Sequence, residues 1–117
     1  MKTIEENVLL TDWIVEKQVK TFLDIVILAT LKDRSMHGYK IIATIHREFG
    51  ILLSPASLYP QLHLLEENRV IEPCSDKGKV IYSLTPKGKE LFEKKFNAYN
   101  VSTQKMKNFI KSRGKIS

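Results

Sequence analysis

The segment that most constrains this chain is residues 54–65, which combines a helix-start signal with a stripe of leucines and a polar opposite face. Ser54 is suited to accept a hydrogen bond from the first-turn amides, and Pro55 at the first helical position needs no amide partner. Three leucines of the segment, spaced four and then three residues apart, predict one buried stripe. Polar groups beside a helix N-terminus can meet a phosphate backbone and base edges. This layout is typical of a recognition helix.

Two helices are expected before this segment. The first runs from about residue 11 or 12 to residue 32, and residues 35–38 interrupt the helical pattern. The second runs from Tyr39 to Phe49, ends at Gly50, and turns Ile42, Ile45 and Phe49 inward. Two helices joined by a short turn, the second with a polar exposed start, form a helix-turn-helix.

After Arg69 the apolar pattern changes from helical to alternating. Residues 70–74 and 80–84 are β-prone, and they bracket residues 75–79, where Gly78 can adopt a positive φ. They predict a hairpin whose tip carries Lys77 and Lys79. A helix-turn-helix followed by a basic hairpin is a winged helix. The predicted fold class is therefore mainly α with a small β-hairpin, a winged helix-turn-helix domain with N- and C-terminal dimerisation helices.

The length of 117 residues fits one domain with a modest core. We expect a single domain over 1–117, in which 12–85 form the winged helix-turn-helix with its N-terminal helix and 86–113 form a C-terminal dimerisation helix. The acidic start of the chain differs from a basic signal peptide, and the longest apolar run, residues 22–31, is half a membrane span. These features predict a cytoplasmic protein with no membrane partner.

The first and last helices carry more apolar surface than one small chain can cover. Apolar residues occupy almost the full circumference of the first helix between residues 22 and 31. Thr85 and Pro86 predict the start of the last helix. This helix has a heptad seam that suits pairing with another helix. The seam could instead pack on the first helix of the same chain, and the two arrangements are compatible. The residues predicted for a homodimer interface are Phe22, Val26, Phe92, Phe96, Tyr99, Thr103, Met106 and Ile110.

The net charge of +6 is unevenly distributed along the chain. Residues 1–85 carry ten Lys or Arg and eleven Asp or Glu, whereas residues 86–117 carry nine Lys or Arg and two Glu. A basic segment of this kind favours a polyanionic partner such as double-stranded DNA, although a solvated helix face has the same composition.

The sequence offers no recognisable catalytic or metal-binding constellation. Cys74 is the only cysteine, which excludes an internal disulfide, and the three histidines lack the paired spacing of a metal motif. A nucleophile with an adjacent base, an acid-base pair and a glycine-rich phosphate loop are also missing. We therefore expect neither an enzyme nor a cofactor or metal site.

The candidate DNA contacts lie on the recognition helix, the helix before it and the wing. Gln61, whose amide can pair with adenine, and His63 are candidates for contacts to base edges. Hydroxyl groups at the start of the recognition helix and lysines on the wing suit phosphates. The full set is Tyr39, Lys40, Ser54, Ser57, Tyr59, Pro60, Gln61, His63, Lys77 and Lys79.

Four blocks of the chain, in the right order, resemble the signature blocks of the PadR-like transcriptional regulators. The resemblance covers about Leu23 to Leu91, and its blocks are residues 36–41, 54–62, 65–71 and 82–88. The short length after the wing is similar to the smaller PadR subfamily, which has one C-terminal dimerisation helix.

The resemblance implies a homodimeric winged-helix repressor that binds a pseudo-palindromic operator, with derepression by a small-molecule effector in some members. By the same analogy, the DNA-facing motif positions are Tyr39, Ser57, Tyr59 and Pro60, and the wing positions are Lys77 and Lys79. Some short members bind flat aromatic compounds through a tryptophan on the last helix. This chain departs from them, because its only tryptophan is Trp13.

Two other functions are compatible with the same sequence. One is a winged-helix module for protein association, in which the heptad seam and the basic tail meet a different partner. The other is a small-molecule sensor whose DNA binding is secondary. Sequence preference and salt dependence of duplex binding separate these hypotheses.

Overall fold

The protein folds into helices that pack against a small, partly exposed antiparallel sheet. The structure is a computed structural model that describes the backbone of residues 4–114 and the side chains of residues 6–114. The predicted domain range of 1–117 therefore extends at both ends beyond the described residues. The elements are α1 (Ile4–Thr21), α2 (Leu23–Asp33), β1 (Met36–His37), α3 (Gly38–Phe49), α4 (Pro55–Glu67), β2 (Ile71–Asp76), β3 (Lys79–Leu84) and α5 (Pro86–Gly114). The predicted mainly helical class with a small sheet is confirmed.

The first helix begins earlier than predicted and is interrupted at Phe22. Helix α1 already starts at Ile4. The Thr11 Oγ1 donates to the carbonyl oxygen of Asn7 at 2.9 Å, so Thr11 lies inside this helix and does not cap a new one. At Phe22 the backbone leaves helical geometry, with φ −108° and ψ 32°. Its amide and carbonyl still bond to the neighbouring turns, at 2.9 and 3.0 Å. The prediction of one helix from about residue 11 or 12 to residue 32 is therefore corrected to two helices, interrupted at Phe22.

The sheet has three strands in the order β1-β3-β2, whereas the sequence predicts only a hairpin. Strand β1 pairs through Met36 with Tyr82 and through His37 with Ile81. Two residues are too few to show an alternating pattern, and their partners lie more than forty residues away, so sequence periodicity does not reveal them.

The wing is longer and its turn tighter than predicted. Strands β2 and β3 stay paired as far as Asp76 and Lys79, leaving Lys77 and Gly78 as a two-residue turn. Both turn residues have positive φ, 51° and 81°, as a type I′ turn requires. The predicted positive φ at Gly78 is confirmed, and the predicted five-residue connection is corrected.

Two capped helices behave as their sequences indicate. The Ser54 Oγ accepts from the amide of Ser57 at 3.2 Å, and Pro55 follows as the first residue of α4. The Thr85 Oγ1 accepts from the amide of Gly88 at 3.0 Å at the start of α5. Each cap satisfies an amide that the helix itself leaves unpaired.

The core lies between α2, α3, α4 and the sheet. Three of the four leucines of α4, Leu58, Leu62 and Leu65, are buried as predicted, but α3 presents a different face from the expected one. Ile41 and Ile45 are buried and Ile42 is half-buried, whereas Phe49 is 41% exposed in the last turn before Gly50. The inward orientation predicted for Phe49 is therefore corrected, because the face that contains Gly38, Ile41 and Ile45 meets the core.

Helix α5 is docked at its start and exposed along its second half. A Cβ on Gly88 would lie 2.0 Å from the carbonyl oxygen of Val70, so only glycine allows this close approach. Lys95 forms a half-buried ion pair with Asp24, and Phe92 is buried in the core of its own chain. Beyond Asn100, α5 has no buried residue among those the structure describes.

Candidate nucleic-acid interface

The solvent-facing side of α4 is built from small and polar residues. Leu58, Leu62 and Leu65 take the buried side, so Ala56, Ser57, Pro60 and His63 are exposed. Gln61 and Tyr59 flank the buried stripe on opposite sides and are both half-buried. Of the two predicted base-contacting side chains, His63 is therefore the one that stands on the open face.

Tyr59 joins α4 to the start of α3. A Cβ on Gly38 would lie 2.3 Å from the Tyr59 Oη and 2.8 Å from its Cζ, so the phenol rests directly on the glycine. Tyr59 also packs against the hydrophobic core. Its predicted role as a phosphate donor is thus accompanied by a packing role that the sequence analysis did not include.

Tyr82 is buried beside Tyr59. Its side chain comes from β3 and is 5% exposed. Burial raises the pKa of the Tyr82 phenol, and the nearby Tyr59 and Glu66 raise it further. The phenol of Tyr82 therefore stays protonated and neutral where β3 meets α4.

The wing tip contacts the start of α3. The Lys79 Nζ lies 5.5 Å from the ring centroid of Tyr39, which is itself 54% exposed. Tyr39 also stacks on His37, with centroids 5.5 Å apart and planes 17° from parallel. Contacts thus run from α4 through Tyr59 and Gly38 to Tyr39 and on to the wing.

Cations surround this region. Lys40, Lys77 and Lys79 are exposed. A polar groove of about 790 Å³ beside β1 and α3 is lined by Lys40 together with Arg34 and Arg47, and also by Asp33 and Glu48. The mixture of signs in the groove leaves the wing lysines as the clearer positive feature.

The family model of the transcriptional regulator PadR-like family matches residues 27–94. That match covers more than half of the chain and contains α3, α4 and the wing. The chain belongs to the PadR-like family. The resemblance found in the sequence is therefore confirmed, and the family is one of transcriptional regulators.

Solved structures of transcriptional regulators share the PadR-like fold. A transcriptional regulator from Clostridium thermocellum is 20% identical with a TM-score of 0.73, covering 80% of this chain and 98% of that one. A PadR family transcription regulator from Clostridium difficile is 23% identical with a TM-score of 0.69, covering 76% and 98%. Both chains are matched almost completely, so the PadR-like fold here carries additional residues that they lack.

A 37.1 kDa protein in transposon TN4556 of Streptomyces fradiae is 41% identical over 69 residues. Those residues make up 58% of this chain and 20% of that protein. The PadR-like chain therefore spans about a fifth of the length of this relative.

The structure joins two of the predicted DNA contacts, Lys79 and Tyr39, and leaves eight of the ten exposed. On α4 and its cap, Ser54, Ser57, Pro60 and His63 are exposed, and Tyr59 and Gln61 are half-buried. On α3 and the wing, Tyr39, Lys40, Lys77 and Lys79 are exposed.

The residues predicted for the dimer interface have different surroundings in the single chain. Phe92 belongs to the core of its own chain, and Phe22 and Tyr99 meet edge to face with centroids 5.1 Å apart. A groove of about 740 Å³ between α1 and α5 has Phe22, Tyr99, Met106 and Ile110 as its apolar lining, with Thr103 beside them. Val26 is half-buried, and Phe96 stacks on Phe92 and is 43% exposed.

Three residues near the interface escaped the sequence analysis as site residues: His37, Gly38 and Asp76. His37 and Gly38 stood inside a motif block, but their partners, Asp76 and Tyr59, are far away in sequence. Spacing alone carries no signal for such contacts.

No helix within residues 4–114 is long and apolar enough to cross a membrane. Over the same described residues, no three His, Cys, Asp or Glu side chains cluster in a way that could hold a metal ion.

Proposed function

We propose that this PadR-like regulator is a homodimeric repressor that binds a pseudo-palindromic operator in double-stranded DNA. The observation that carries the proposal is the run of contacts from α4 to the wing: Tyr59 on Gly38, and Lys79 over Tyr39. These contacts make the recognition helix, the start of α3 and the wing one surface. A surface of this kind can engage a groove and both flanking phosphate strands together.

In this proposal the start of α4 enters the major groove. The amides beyond Ser54 and the hydroxyl of Ser57 face phosphates, since the N-terminus of a helix favours negative charge. His63 stands on the open face and contacts base edges, and Gln61 contacts them from the margin of that face. Sequence preference therefore comes from a few residues of α4.

Tyr39, Lys40 and the wing lysines supply contacts to phosphates. Lys77 lies in the wing turn and Lys79 directly follows it, and both residues are exposed. Contacts of this type release counterions and add affinity to every duplex, whatever its sequence. Affinity and sequence preference thus rest on different elements of the domain.

The homodimer is proposed from the apolar surface that α1 and α5 leave uncovered. On α1, Leu9 is 69% and Trp13 is 61% exposed; on α5, Met106 is 61% and Phe109 is 60% exposed. Exposed apolar area of this extent on two helices marks an interaction surface. A second copy related by a two-fold axis covers both helices at once and repeats the α4 surface.

Two-fold symmetry sets the spacing of the two recognition helices. On B-form DNA, half-sites lie about 34 Å apart, one helical turn, when both helices enter the same side of the duplex. A dimer that covers a promoter in this way blocks transcription.

A small-molecule effector in the groove between α1 and α5 would change the distance between the two recognition helices. Because the proposed partner is DNA, we also propose that the protein lies in the cytoplasm.

Selection of bound fragments from random duplexes tests the proposal. A specific regulator enriches one pseudo-palindromic motif, and its affinity for that motif falls steeply with salt while its preference over other sequences remains. Binding without preference at every salt concentration would contradict the proposal. It would favour a winged-helix module whose partner is another protein.

A further inference from the structure

The imidazole of His37 ties the wing tip to the start of α3. Its Nδ1 lies 3.1 Å from the carbonyl oxygen of Val80, and its Nε2 lies 3.2 Å from the Oδ2 of Asp76. The ring also stacks on Tyr39. The His37 side chain is only 16% exposed, whereas the Asp76 side chain is 45% exposed. One side chain therefore contacts both strands of the wing and the first turn of α3.

We propose that His37 and Asp76 are positioning residues, which hold the wing so that Lys79 and Tyr39 meet the DNA backbone as one unit. This inference rests on the proposed DNA-binding function and adds to it two residues that touch the DNA-facing side chains rather than the DNA. His37 stacks directly on Tyr39, and Asp76 is the strand partner of Lys79.

The backbone alone gives the wing tip little support. Strand β1 pairs with β3 only at Met36 and His37, so beyond Ile81 the wing is a two-stranded ribbon. A two-stranded ribbon without a third strand or a helix against it is marginally stable in water. The His37–Asp76 contact is formed at the far end of this ribbon, next to the turn. It therefore fixes the part of the wing that the sheet does not.

Removal of the Asp76 charge can either tighten or weaken DNA binding, and the direction of the change distinguishes two roles for this residue. A carboxylate beside phosphates repels them, so removal of a merely local charge tightens DNA binding. Removal of a positioning contact releases the wing and weakens binding. The two roles predict opposite changes for the same substitution.

The experiment compares Asp76→Ala with Glu72→Ala, which removes the same charge from an exposed position on the same strand. The probe is the duplex with the highest affinity in the selection above, at two salt concentrations. We expect Asp76→Ala to weaken binding about three- to fivefold, in line with the loss of one partly exposed polar contact, and Glu72→Ala to leave it unchanged or tighten it. Tighter binding by Asp76→Ala would overturn the positioning role.

A double-mutant cycle with His37→Gln tests whether the two residues act together. If they do, the double variant binds about as weakly as the weaker single variant; independent, additive losses would overturn the inference. Urea unfolding of each variant identifies any general loss of folding, which would lower the midpoint.

Amide hydrogen exchange of the free protein gives a measurement that does not need DNA. Residues 76–81 should exchange faster in Asp76→Ala and not in Glu72→Ala, while α4 is unchanged in both. Unchanged exchange in the wing would overturn the tether itself. If the wild-type chain binds no duplex, the proposed function fails, and the exchange result still decides whether His37 holds the wing.

Discussion

The phenol of Tyr59 rests on the Cα of Gly38, so that a methyl group at Gly38 would lie 2.3 Å from the Tyr59 Oη. This contact sets how closely the start of α4 approaches the start of α3. Glycine is required by the neighbouring ring and not by its own backbone angles. The spacing between the two helices of the helix-turn-helix thus depends on the absence of one side chain.

Gly38→Ala should therefore destabilise the protein by about 1–3 kcal/mol, the usual cost of an inserted methyl group in a well-packed site. It should also weaken DNA binding, because Tyr59 has to move. Urea unfolding and duplex titration measure the two effects. Gly114→Ala is the matched control, since its added methyl group would meet nothing within 4 Å. An equal unfolding midpoint for Gly38→Ala and wild type would show that the Tyr59 ring moves away from the added methyl group without loss of stability.

Lys79→Ala should weaken binding to all duplexes to a similar degree and reduce the salt slope by about one, because it removes one phosphate contact. Fluorescence anisotropy at several salt concentrations measures both quantities. Lys20→Ala, which removes the same charge from the α1 ion pair with Glu16, serves as the control. A loss confined to the selected operator would show that Lys79 contacts bases.

His63→Ala should reduce the discrimination between the best duplex and single-base variants by about tenfold at one position, because a lost base contact costs preference more than general affinity. Gln61→Ala should act in the same direction and less strongly, since Gln61 is half-buried. Titration against a panel of single-base variants measures this. If neither substitution changes any preference, α4 docks with another face.

Met106→Glu should convert the proposed dimer to monomers, because the charge would be buried in the proposed interface without a partner. Met106 is 61% exposed in the single chain, so the substitution leaves the fold of the monomer unaffected. Light scattering gives the mass directly. Asn108→Glu places the same charge on another face of α5, where Gln104 can still donate to it. A dimeric mass for Met106→Glu would show that the interface does not include Met106.

The stability of the wild-type chain should fall in alkaline solution more than that of Tyr82→Phe. Burial raises the pKa of Tyr82 in the folded state. The protonated phenol therefore contributes fully to the free energy of unfolding below the pKa of tyrosine in the unfolded chain, about 10. This contribution is lost as the pH rises through the higher pKa of the folded state. Urea unfolding at neutral and alkaline pH measures the difference. Tyr39→Phe removes a phenol hydroxyl from an exposed position instead. Between neutral and alkaline pH, this variant should lose as much stability as the wild-type chain does.

Much of the fold could be predicted from local patterns. Ser54 and Thr85 marked two helix starts because a capping hydroxyl acts within three residues of its own position. The leucines of α4 marked the buried stripe for the same local reason, and Gly78 marked the wing turn. The positions that departed from prediction, Phe22, Phe49 and the strand at Met36, depend on what lies across from them.

The sequence by itself determined the helix-turn-helix, the basic wing and the last helix in their order, since each is encoded by neighbouring residues. Only the tertiary structure decided that Phe92 belongs to the core, that Gly38 accommodates Tyr59, and that His37 meets Asp76. The last two contacts join residues about twenty and about forty positions apart in the sequence. No local pattern encodes such contacts, because they form only when packing brings the elements together.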